Sequence, residues 1–124
     1  MCSSDLLEKE AVIIDNFLNI TCSEDGNDCV NRGLDLSVYL ARSGKMLADA
    51  KYWRDEAVKN SIVKATGDSL NVSASILKML VDSSCKRENY LVNWIDRINS
   101  TVVHQMDFLR TCISKAKAEM QSFH

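Results

Sequence analysis

The tripeptide Ser43-Gly44-Lys45 sets a glycine before a lysine, as a phosphate-binding loop does. That loop has the pattern G-x-x-x-x-G-K-[ST] between a strand and a helix, and it cradles phosphate on unoccupied backbone amides. Tyr39 stands where its first glycine belongs, and Met46 stands where its metal-binding hydroxyl belongs. No strand pattern precedes it, and amides inside a helix are already bonded. A nucleotide-hydrolysing loop is therefore not expected. Metal chemistry lacks its spacing too. The two histidines, His104 and His124, have no glutamate three residues before them, so the Glu-x-x-His pairs of a di-iron bundle are absent. Five cysteines (Cys2, Cys22, Cys29, Cys85, Cys112) include no CxxC pair. An odd count without that spacing indicates neither a zinc site nor a disulfide framework, and the thiols are read as free in a reducing cytosol. A nucleophilic pairing of Cys85 or Cys112 with His104 stays open beside the commoner case of inert thiols. No metal, cofactor or catalytic residue is expected.

One constellation could bind a ligand. Trp94, Arg97, Thr101, His104, Phe108, Thr111 and Lys115 recur at steps of three and four, which puts them on one face of a helix. A guanidinium and an imidazole between two aromatic rings could stack a flat ring and hold an anion. Arg42, Lys45 and Arg54 could add positive charge. The alternative is a bundle edge, with the aromatics half covered and the cations solvated.

These residues need helices to position them, and the composition favours helices. The 124 residues contain no proline and only four glycines, the two residues that interrupt helices most. Leu6, Leu7, Ala11, Ile13, Ile14, Phe17, Leu18 and Cys22 predict a helix over about 4–22, with Ser3 or Ser4 as its N-cap. Ser23-Glu24-Asp25-Gly26-Asn27-Asp28 is a turn cluster. A long helix follows over about 28–65. One of its stripes is small: Gly33, Ser37, Ala41, Gly44 and Ala48, suited to close approach by another helix. Beside it runs a core stripe of Leu36, Leu40, Leu47 and Ala50. Thr66–Ser69 is a second break. A short helix is expected over 73–83, with Ile76, Leu77, Leu80 and Val81 inward. Ser83 or Ser84 then caps a last long helix over 85–121. Its seam, Leu91, Ile95, Ile98, Val102, Gln105, Leu109, Cys112 and Ala116, steps by four and three, the rhythm of helices crossing at a shallow angle. Gln105 is its one polar member. The expected fold is a single all-α domain over 1–124, a helical bundle of two long and two shorter helices. It is expected to be a homo-oligomer, because one partner helix cannot cover both stripes of the long second helix.

Charge narrows the partners. The net charge is −2 at pH 7; residues 1–35 hold eight acids against Lys9 and Arg32, and the remainder is mildly basic. No segment carries a nucleic-acid footprint. No apolar run is long enough for a membrane span, and residues 1–5 lack the features of a secretory leader. A cytoplasmic location is expected.

The stretches Ala41–Tyr52 and Glu88–Ile95 resemble segments of small uncharacterised proteins from phages and prophages of gut bacteria. The resemblance covers the later two-thirds of the chain and implies residence in the host bacterial cytosol. With no catalytic motif passing its spacing test, a non-enzymatic binding role is expected, and the resemblance suggests its form: blocking a host defence by holding an effector protein, or by sequestering a nucleotide-like ligand. The alternative it implies is an accessory of phage DNA replication or recombination.

Overall fold

The computed structural model describes residues 3–67 and 73–122, apart from the Thr66 side chain. Four helices follow in order: α1 Ser3–Leu18, α2 Gly26–Gly67, α3 Ala74–Ser84 and α4 Lys86–Ser122. Among the described residues there is no strand. At 42 and 37 residues, α2 and α4 are about 63 and 55 Å long.

Three side-chain links fix their direction. Arg32 meets Gln105, Ser43 meets Asn99, and Ser61 meets Cys85, so α2 and α4 are antiparallel. Arg42 on α2 holds Glu10 on α1, while Arg87 on α4 holds Asp5 and Glu8. Hence α1 runs antiparallel to α2 and parallel to α4, lying in the groove between them. The core fills this three-helix region with Leu7, Ala11, Ile14 and Leu18 from α1, and Cys29, Leu36, Met46 and Ala50 from α2. From α4 come Leu91, Val92, Ile95, Ile98, Val102 and Leu109. The predicted α4 seam is thus buried from Leu91 through Leu109, broken only by half-buried Gln105.

The boundaries differ from expectation where side chains do the capping. α1 stops at Leu18 rather than near 22 because its last carbonyls are taken by side chains of α2 and α4, described below. α2 starts at Gly26 because Asp25 accepts from the Asn27 amide through Oδ1 (2.9 Å) and from the Cys29 amide through its carbonyl (2.9 Å); that is N-cap chemistry. α3 begins one residue later than expected, with Ser73 as its cap: the hydroxyl accepts from the Ile76 amide at 3.4 Å. Leu77 and Val81 are half-buried, but Ile76 and Leu80 are exposed, so only half of the expected inward set faces in. Neither Ser83 nor Ser84 caps α4. The Ser84 hydroxyl donates back to the Leu80 carbonyl (2.8 Å), and Cys85 alone forms the joint. Its amide donates to Val81 and its carbonyl accepts from Asn89, both at 2.9 Å. Ser3 and Ser4 lie inside α1 rather than capping it. The expected break at Thr66–Ser69 falls at the end of α2, and residues 68–72 are outside the described part, as is His124.

Candidate binding faces

The Ser43-Gly44-Lys45 tripeptide splits three ways on the surface of α2. Ser43 is fully buried and accepts from Asn99 Nδ2 at 2.9 Å, while its own hydroxyl donates to the Leu40 carbonyl at 3.2 Å. It is an interhelical hydrogen bond in the core. Gly44 is exposed, and a Cβ there would meet nothing within 4 Å. Lys45 reaches Asp49 one turn on, at 2.6 Å.

Arg42 and Lys45 line a cleft of about 490 Å³ between α1 and α2, together with Leu6, Glu10, Met46 and Trp53. Arg42 grips Glu10 with two bonds of 2.7 and 2.8 Å. That hydrogen bond, and the charge behind it, push the guanidinium further above its already high range. An anion entering here has to displace a carboxylate from each cation. Arg54 pairs with Asp55 at 3.2 Å and lies outside the cleft.

The α4 stripe is on one face, as its spacing requires. Trp94 is half-buried against the core, with the exposed Tyr90 ring tilted 6.0 Å away. Arg97 and His104 are exposed. Thr101 and Thr111 donate to the carbonyls one turn back, Arg97 and Asp107, at 2.9 and 3.2 Å. Phe108 joins Thr111, Lys115, Cys112 and Glu24 around a shallow cleft of about 260 Å³. Trp94, Arg97, Thr101 and His104 line neither that cleft nor the one holding Arg42 and Lys45. The two cation groups read from the sequence are therefore not gathered at one place. Among the described residues no group of three or more His, Cys, Asp or Glu side chains is arranged to hold a metal ion. No described helix is long and apolar enough to cross a membrane.

A tighter constellation sits at the α1–α2 turn. Arg32 Nη2 donates to the Phe17 carbonyl (3.1 Å) and to Gln105 Oε1 (3.0 Å), and Gln105 Nε2 donates to the Leu18 carbonyl at 3.0 Å. The guanidinium carbon lies 3.9 Å above the Phe17 ring centroid, and that ring packs on Tyr39. The last two carbonyls of α1, at a helix end that leaves such groups short of partners, thus accept from two other helices, Phe17 also from the Ile20 amide. In the same turn the Cys22 and Cys29 thiols both donate to the Ser23 carbonyl, at 3.3 and 3.5 Å. Burial first, then the neighbouring thiols of Cys22 and Cys112, push the Cys29 thiol above its ordinary value of 9.0. Gln105 was visible in the sequence as the polar break in an apolar seam. The thiol pair had a fainter signal, two cysteines bracketing the turn cluster.

The outward face of α2 opposes its buried line. Gly33 of the small stripe faces another helix, with Leu109 Cδ1 4.0 Å from where its Cβ would be, while a Cβ at Gly44 would meet nothing within 4 Å. Ser37, Ala41, Gly44 and Ala48 are exposed. Around them lie Val30, Leu34 (62 % exposed), Val38 (59 %) and Tyr52 (59 %). On a solitary helix the face turned from the core is the charged one; over 30–52 this face holds only Lys45, paired with Asp49, and Lys51 at its edge. The signal in the sequence was the recurrence of apolar residues around much of this helix. Comparison with protein-family models, curated proteins and solved structures found no match to this chain.

Proposed function

We propose that this chain is a non-enzymatic binding protein that engages protein partners through the outward face of α2, and that a second copy of the chain is the first such partner. The observation that carries the reading is the exposed, nearly uncharged surface formed by Val30, Leu34, Val38, Ala41, Gly44, Ala48 and Tyr52. It runs for about 33 Å along the helix. Isologous pairing places the same patch on both copies. An antiparallel pairing centred on Ala41 sets Val30 opposite Tyr52 and Leu34 opposite Ala48, a bulky residue facing a small one at the inner position. The small stripe then has the close neighbour that it lacks within one chain.

Sequestration of a nucleotide-like ligand draws less support. Arg42 and Lys45 are occupied by carboxylates, and Arg97 and His104 line neither cleft described above. A role in DNA metabolism gains nothing specific from the geometry. The resemblance to phage proteins directs the search for a further partner to the host bacterial cytosol, defence effectors first.

Light scattering at micromolar concentration tests the reading. The wild type is expected as a dimer, and Leu34→Glu as a monomer of unchanged helicity. Gly44→Leu is expected to weaken the dimer by crowding its centre. A wild type that runs as a monomer removes self-pairing from the proposal.

A further inference from the structure

We propose that Cys22 and Cys29 form a reversible disulfide in response to hydrogen peroxide, and that this bond locks the α1–α2 turn onto the bundle. This does not depend on the α2 surface. The geometry carries it: the two sulfurs lie 3.3 and 3.5 Å from one oxygen, the Ser23 carbonyl, which puts them at most about 7 Å apart. Cys22 also reaches the Asp28 carbonyl at 3.8 Å, which holds it over the start of α2. Residues 21–25 lie between helices. The turn can therefore close the remaining distance to disulfide geometry without breaking α1 or unwinding the interior of α2.

The two thiols differ in access, and that sets their order. Cys22 is half-buried and lines an open cleft of about 220 Å³ with Arg32, Gln105 and Phe108. Cys29 is 1 % exposed and meets no oxidant directly. In the first step the Cys22 thiolate attacks one peroxide oxygen. An S–O bond forms, the O–O bond breaks, and hydroxide leaves to be protonated to water. In the second step the Cys29 sulfur attacks the sulfenic sulfur of Cys22. The S–S bond forms, the S–O bond breaks, and a second water leaves with the proton of the Cys29 thiol. Two thiols are oxidised and one peroxide is reduced to two waters. The bond closes an eight-residue loop directly beside the Arg32–Gln105 clasp. A thiol reductant reverses it.

The test uses the full chain, reduced and then exposed to one equivalent of peroxide. Thiol titration should show two thiols lost and both regained with dithiothreitol. Cleavage after Glu24 should give two fragments that stay joined until reduced. The oxidised protein should melt roughly 5 °C or more above the reduced one. Cys22→Ser, at a half-exposed position that the fold tolerates, should abolish the bond, whereas Cys85→Ser and Cys112→Ser should keep it. A bond from Cys22 to Cys112 or Cys2 overturns the proposal. So does oxidation of Cys22 to a sulfinic acid with no bond, or an unchanged thiol count.

Discussion

Two short helices, α1 and α3, carry similar apolar patterns and meet different fates. Of the apolar repeat along α1, Leu7, Ala11, Ile14 and Leu18 are buried, while Leu6 and Ile13 at its edges stay exposed. Ile76, Leu77, Leu80 and Val81 repeat along α3, and none is buried. The difference lies in the receiving surface. α1 lies in a groove between two antiparallel helices, which covers a stripe from both sides. α3 turns back through the one-residue joint at Cys85 and rests mainly on the end of α2. A cleft of about 400 Å³ remains there, lined by Ser61, Lys64, Leu80 and Ser84 among others. An amphipathic stripe states what a helix can bury. The number of neighbouring helices decides how much it does bury, and so how strongly each end resists opening.

The largest effect that separates the two ends is a cavity. Ile95 is fully buried on α4, where α1 and α2 converge. Ile95→Ala is expected to cost about 2–5 kcal/mol. Leu80 is 44 % exposed on α3, and Leu80→Ala is expected to cost under about 1 kcal/mol. Urea unfolding monitored by helicity compares them directly. Equal losses would mean that α3 is packed as firmly as α1, and the contrast would fail.

Next comes the clasp. Arg32→Ala removes two bonds to half-buried acceptors and strips cover from the Phe17 ring. The expected cost is about 1.5–3 kcal/mol, as for hydrogen bonds made by a charged group. Arg32→Lys should not rescue it, because a point charge cannot both stack on Phe17 and reach the two acceptors. Limited proteolysis in 19–25 should accelerate in both variants. Arg87, exposed beside Asp5 and Glu8, is the control. Its removal should be nearly silent, since solvent screens such pairs.

The same contrast governs what could be read from the sequence. The α4 seam was legible because a four–three repeat sustained over many turns leaves only one face to bury. The identity of Gln105 as a clasp was not, because its partners, Arg32 and the Leu18 carbonyl, lie more than seventy residues away in the chain. The separate fates of Ser43 and Gly44 follow from helix geometry. Adjacent helical residues point about 100° apart, so one became a core hydrogen bond and the other an open surface. The joint at Cys85 was legible to within a residue from Ser83 and Ser84, although neither serine caps α4 and the Ser84 hydroxyl donates back to Leu80 instead. The joint was set by α3 having to fold back within reach of α2.

The smallest expected effect is a dependence on pH confined to the three-helix end. Cys29 is buried there, and its proton is held above the ordinary thiol value of 9.0, chiefly by that burial. A raised value in the folded state means that the folded protein binds this proton more tightly than the unfolded chain. Its contribution to stability is complete below pH 9 and is lost as pH rises from there through the folded-state value. Melting temperature should therefore decline above pH 9 in the reduced wild type. Lysines and tyrosines titrate in the same range, so the slope of the wild type alone decides little. Cys29→Ala removes this proton and leaves the others, and its melting temperature should decline less steeply over the same interval, whatever its absolute value at neutral pH. Parallel slopes for the two proteins would mean that the Cys29 thiol ionises as readily in the fold as in the unfolded chain, and that the turn around it is open to water.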